Sequence, residues 1–147
     1  MTIDSNNPVA ALCAAGMAIE GDVPAARRLF EQAWEVRRDD YDASIAAHFL
    51  ARHQTTLEDR LAWNMRAARH AELVADERAH ELKASLYLNL GDAYLAVGNS
   101  AEARAALGRA AESLDDLPVD GYRAFVKRGI DGLVRRLEEF DIVAQNI

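Results

Sequence analysis

The chain predicts an all-α fold made of packed helix pairs, and three observations carry that expectation. Alanine, leucine, arginine and glutamate dominate, whereas period-two runs of valine, isoleucine and threonine are missing. Pro8, Pro24 and Pro118, the only prolines, fall where a helix would start or a connection would run. Between Tyr87 and Ala110, the small residues Gly91, Ala103 and Ala110 sit where two helix backbones would approach closely. Tyr87, Leu90, Tyr94 and Leu107 are spaced to fill the volume between them.

Each helix has its own signals. Asn7 before Pro8 is a cap followed by a first turn, and the helix it opens runs to about Glu20, where Gly21 ends it. Asp22 caps a second helix with Ala26, Phe30, Ala33 and Trp34 on one stripe. Asp40 or Asp42 starts a third, through about His53. Thr55 or Thr56, followed by Glu58 and Asp59, starts a fourth with Leu57, Leu61, Met65, Ala68 and Leu73 on its inward side. Asp76 and Glu77 open a fifth through about Val97, and Ser100 caps a sixth to Leu114. Asp120 starts a seventh to roughly Phe140, with Val126, Ile130, Leu133, Val134 and Leu137 on one arc and Arg123, Lys127, Arg128 and Arg135 on another. Gly129 and Gly132 each cost that helix roughly 1 kcal/mol of propensity, which points to close packing against a neighbour.

A chain of 147 residues, half of them hydrophobic, is long enough for one domain with a proper core. A formal charge of −7 spread along it argues against nucleic acid and anionic membrane as partners. Met1 to Asn7 lacks a basic start followed by an apolar run, and no later stretch reaches the roughly 18 apolar residues needed to span a bilayer; a cytoplasmic location is expected. Cys13 is the single cysteine, so an internal disulfide is excluded and a small buried apolar role is expected.

Self-comparison arranges the helices. Ala14, Met17, Gly21, Ala26, Phe30 and Ala33 recur at the same intervals as Gly91, Tyr94, Gly98, Ala103, Leu107 and Ala110. Between them, Leu61, Met65 and Ala68 match the second helix of the pair, and Ala47 and Leu50 match the first if the connection gains two residues. Three hairpins result, at about 8–38, 42–74 and 77–114, with a capping helix at about 120–140. The pattern resembles the tetratricopeptide repeat, a unit of two antiparallel helices about 34 residues long. The third unit carries it most closely, in Tyr87-Leu-Asn-Leu-Gly-Asp-Ala-Tyr94, Gly98, Ala103, Leu107 and Ala110. The first unit has Ala14 and Met17 in place of the repeat's glycine and aromatic, and the second has Gln54 to Thr56 in place of the turn glycine. Ala46-Ala-His-Phe-Leu-Ala-Arg52, Leu61-Ala-Trp-Asn64, Ser85-Leu-Tyr-Leu-Asn-Leu90 and Asp120-Gly-Tyr122 are similar to a set of small bacterial tetratricopeptide-repeat proteins of unassigned function. The resemblance implies an α-α superhelix and a protein- or peptide-binding role; it implies no reaction.

In such a stack the first helix of each pair lines the concave face, which makes its polar residues the candidates for gripping a peptide. Asn89 stands where the family often has an asparagine, with a donor and an acceptor to offer. Asp92 and Ser85 share its face; His48 and Arg52, one turn apart on the neighbouring first helix, suit a carboxylate. The competing assignment for all five is contact within the fold. Trp34 and Trp63 are expected between hairpins. Glu77-Arg-Ala-His80 has the spacing of two ligands in a di-iron bundle but no second copy, so it reads as a surface pair. Phosphate loops, Gly-x-Ser-x-Gly and His-Glu-x-x-His are absent. The expectation is a non-catalytic adaptor without cofactor or metal; the alternatives are a self-associating module or, further off, a metal-binding or enzymatic helical protein.

Overall fold

In the computed structural model, which describes residues 4 and 6–146, every regular element among those residues is a helix. These are α1 (Pro8–Ala18), α2 (Val23–Glu35), α3 (Asp40–Ala51), α4 (Leu57–Glu72), α5 (Arg78–Ala96), α6 (Ser100–Leu114) and α7 (Gly121–Gln145). None is long and apolar enough to cross a membrane. The all-α expectation is met.

Short polar side chains set most of the starts by bonding amides that have no partner in the first turn. Asn7 Oδ1 accepts from the Val9 and Ala10 amides at 2.9 and 3.3 Å, Asp22 from Ala25, Thr56 from Asp59 and Asp120 from Arg123. Two caps differ from expectation by one residue or more. Asp39, rather than Asp40 or Asp42, caps α3 by accepting from the Asp42 amide, and Asn99, rather than Ser100, caps α6 by accepting from Glu102. α5 starts at Glu77 with no side-chain cap. Its end is firmer: Gly98 adopts φ +83°, and the amides of Gly98 and Asn99 donate to Leu95 and Tyr94 oxygens, both at 2.9 Å. The end of α1 is built otherwise, through successive three-residue turns from Ile19 to Gly16, Glu20 to Met17 and Asp22 to Ile19. Gly21 is therefore not the counterpart of Gly98 in backbone conformation.

The chain divides into two compact units, Met1–Asp76 and Glu77–Ile147. In the first, α2 packs on α1, α3 lies against both, and α4 packs on α3. α3 is consequently covered on most sides: residues 41–47 and 49–51 are all buried. Phe30 of α2 is the hub, stacked on Phe49 with ring centroids 5.3 Å apart and fully buried with Val9, Cys13 and Ile45. Gly16 makes the α1–α2 approach possible, since a Cβ there would sit 2.4 Å from Phe30 Cε1. Burial pushes the Cys13 thiol up to about 12, an inert packing residue as expected.

In the second unit the same order of packing returns, α6 on α5 and α7 against both. Leu82, Leu86 and Leu90 of α5, Ala103, Ala106 and Ala110 of α6, and Val126, Ile130, Leu133 and Leu137 of α7 are all buried. A Cβ at Gly129 would lie 2.4 Å from Leu88 Cδ2, the close approach anticipated for this helix; Gly132 has no such neighbour. α7 also extends past the expected end at Phe140 to Gln145, with Arg104 of α6 paired to Asp141 in the added stretch.

The inward side of α4 differs from expectation. Leu57, Met65 and Leu73 are exposed and Leu61 is half-buried, while Asn64, Ala67, Ala68 and Ala71 face α3. Small residues are turned inward because α3 presents small ones in return, Ala43, Ala46 and Ala47, so the helices pack on size rather than on hydrophobicity. Asn64 tolerates burial by donating to the Arg60 oxygen at 3.0 Å. The corrected stripe Asn64, Ala68 and Ala71 has the intervals of Ala26, Phe30 and Ala33 and of Ala103, Leu107 and Ala110, three residues later than the expected match at Leu61. On α1, Ala14 and Met17 are exposed, and the buried set is Val9, Ala10, Cys13 and Gly16.

Candidate peptide-binding site

The five residues proposed from the sequence fall in two groups, one in each unit. Ser85, Asn89 and Asp92 follow one another along α5. Asp92 Oδ1, buried and without a hydrogen bond of good geometry, has the Arg136 guanidinium of α7 at 2.5 Å. Ser85 hydrogen-bonds the Tyr122 hydroxyl, and that hydroxyl in turn donates to the Glu81 oxygen at 2.9 Å. Burial raises the Tyr122 pKa, with the Ser85 bond opposing it. Both flanking residues of the trio are thus engaged by α7, and Asn89 between them is half-buried with a contact of its own.

His48 and Arg52 stand one turn apart, His48 near the end of α3 and Arg52 as its C-cap. His48 is half-buried with its ring edge-on to Phe49, centroids 5.0 Å apart. Burial first, and the adjacent Arg52 charge second, push its pKa down to about 4, which makes it a neutral imidazole at physiological pH. Arg52 reaches the other way, its Nη2 2.9 Å from Glu20 Oε2. The His48–Arg52 pair therefore offers one charge, not two.

Arg52 also lines an open cavity of about 480 Å³ at the α3–α4 connection, together with Gln54, Thr55, Thr56, Leu57 and Arg60. A second cavity, about 460 Å³, lies between the α2–α3 connection and α4 and mixes Glu35, Arg37, Arg38, Asp39 and Asp40 with His70. There His70 Nδ1 sits 2.8 Å from Asp40 Oδ1. Beside it Trp34 and Trp63 meet edge to face at 5.1 Å, with Arg37 over one ring and Arg66 over the other. Both tryptophans are half-buried, less covered than the expected place between hairpins implies, because the neighbours that close them off are flexible guanidinium stems.

Two features escaped sequence reading. Asp42 is fully buried: it accepts from Asn7 Nδ2 at 2.7 Å and from the Arg38 amide and Nε at 3.1 and 3.0 Å. Burial alone would raise its pKa, but these bonds hold it below the usual carboxylate range. It ties the start of α1 to the start of α3, which explains why it does not cap α3 itself. Arg60 is the second, half-buried on the cavity wall and free of any side-chain partner among the described residues. Glu77 and His80 do not act together; His80 Nδ1 faces Asp116 Oδ2 at 3.3 Å. Among the described residues no three His, Cys, Asp or Glu side chains converge as a metal ion would require.

Comparison with known proteins found no matching family model, curated protein or solved structure.

Proposed function

We propose that the chain is a non-catalytic adaptor of tetratricopeptide-like build, three helix pairs and a capping helix wound as an α-α superhelix, which holds a protein or peptide segment against its first helices in the cytoplasm. The observation that supports it is the recurrence of one inward stripe on every second helix: Ala26, Phe30 and Ala33; Asn64, Ala68 and Ala71; Ala103, Leu107 and Ala110. A chain that spends its packing on equivalent helix pairs gains an extended surface for contact. Of the five, Asn89 on α5, half-buried with a contact of its own, and Arg52 at the end of α3, 45 % exposed and paired with Glu20, are the ones this reading assigns to the partner, Ser85 and Asp92 being tied to α7 and His48 uncharged.

The test is capture of a partner from native lysate on the tagged full chain, followed by reconstitution of the complex from purified components. Saturable binding of a purified partner supports the adaptor; absence of any reconstituted complex counts against it. A self-associating module is the second reading, favoured by Leu57 and Met65 exposed on α4 and Leu73 exposed just past its end. Light scattering separates the two: a mass that rises with concentration supports self-association, and a constant monomer mass removes it.

A further inference from the structure

We propose that the cavity at the α3–α4 connection binds a phosphate group, either free or as a phosphomonoester on a partner segment. The inference does not depend on the peptide-binding reading. In a chain of net charge −7, the lining of this cavity carries two guanidiniums, Arg52 and Arg60, two threonines, Gln54 and Leu57, and no carboxylate. Arg60 carries the argument furthest. A half-buried guanidinium with no side-chain partner among the described residues gives up hydration without a counter-charge, and a tetrahedral oxyanion supplies both charge and acceptors in the planar fork's own geometry.

Arg52 is only partly committed. Its contact with Glu20 is made through Nη2, and the side chain, 45 % exposed, keeps other donors for a ligand. Thr55 is exposed on the wall, whereas Thr56 is occupied in capping α4 and the Gln54 amide donates to the Leu50 oxygen at 2.8 Å. A volume of about 480 Å³ exceeds what one phosphate fills, so the site has room for the group to which the phosphate is attached. Glu20 is the built-in competitor: as long as it holds Arg52, an incoming anion shares that guanidinium.

The experiment is titration of the full chain, at fixed ionic strength, with inorganic phosphate and separately with a short phosphoserine peptide and its unphosphorylated form, followed by calorimetry and amide chemical shifts. Saturable binding of both phosphate and phosphopeptide marks a site for the free ion; binding of the phosphopeptide alone, with the unphosphorylated peptide silent, marks a site for a modified partner. Arg60→Gln is expected to weaken either by about tenfold or more with an unchanged melting temperature, since its side chain holds nothing in the fold. Glu20→Gln is expected to tighten binding by freeing Arg52. Shifts confined to Arg52, Thr55 and Arg60 accompany the first result. Binding that sodium chloride at equal ionic strength abolishes, binding that Arg60→Gln leaves intact, or no saturable binding by either probe overturns the proposal.

Discussion

At the scale of single residues, the half-buried His48 and the buried Asp42 make the strongest statements about stability. His48 titrates near 4 in the fold against an ordinary 6.5. The unfolded chain therefore takes up a proton on acidification before the folded one does. Its contribution is fully present above about pH 6.5 and is lost as the pH falls toward 4, on the order of 2 kcal/mol by pH 5. Urea unfolding at pH 7 and pH 5 checks this: His48→Gln is expected to flatten the difference, and an equally steep loss in the variant would contradict it. Asp42 acts in the same direction with pH but as an anion held by three donors, its contribution present above the ordinary carboxylate range and lost as the pH falls through its lowered folded value. Asp42→Ala strands the Asn7 amide inside and is expected to cost about 3 kcal/mol at pH 7, readable by the same denaturant titration. A loss below about 0.5 kcal/mol would mean that this carboxylate does not tie α1 to α3.

At the scale of elements, glycines separate packing from propensity. Gly16→Ala places a methyl group into the Phe30 ring and is expected to destabilise by about 2 kcal/mol. Gly108→Ala, on α6 with nothing within 4 Å of the new Cβ, is expected to stabilise by about 0.8 kcal/mol. Thermal melts of the pair decide whether the α1–α2 contact is as tight as drawn. Helix existence was largely legible in the sequence because caps and breakers act locally: Asn7, Asp22, Thr56 and Asp120 all start the helices they were expected to start. The inward face of α4 was not. Leu57 and Met65 outweigh Ala67 and Ala71 on any hydrophobic reckoning, and only the presence of small residues on α3 reverses the choice. The cap of α3 was missed for a related reason, since three aspartates lie within four positions and tertiary bonds to Asn7 and Arg38 decide which one turns inward. Among the candidate site residues, position along the helix was readable, but what each side chain touches was not. Arg136 and Tyr122 reach Asp92 and Ser85 from a helix more than thirty residues away in the chain.

At the scale of the whole molecule, the recurrence of the same residue intervals on α2, α4 and α6 is what supports the proposed adaptor role. The self-association reading places adhesion on the exposed Leu57 and Met65 of α4, so Leu57→Lys with Met65→Lys is expected to return any associating fraction to monomer in light scattering while leaving the melting temperature within a few degrees. An unchanged mass distribution would place self-contact elsewhere. The proposed adaptor role places partner recognition on the first helices instead. The central claim is tested most directly by calorimetric titration of the reconstituted partner into wild type and Asn89→Ala, run beside thermal melts of both. The adaptor account predicts an affinity about fivefold weaker for the variant, as the loss of one hydrogen bond at an interface implies, with the melting temperature lowered by no more than a few degrees for the contact Asn89 makes within the fold. Equal affinities, or a weaker one that only tracks a collapsed melting temperature, would contradict it.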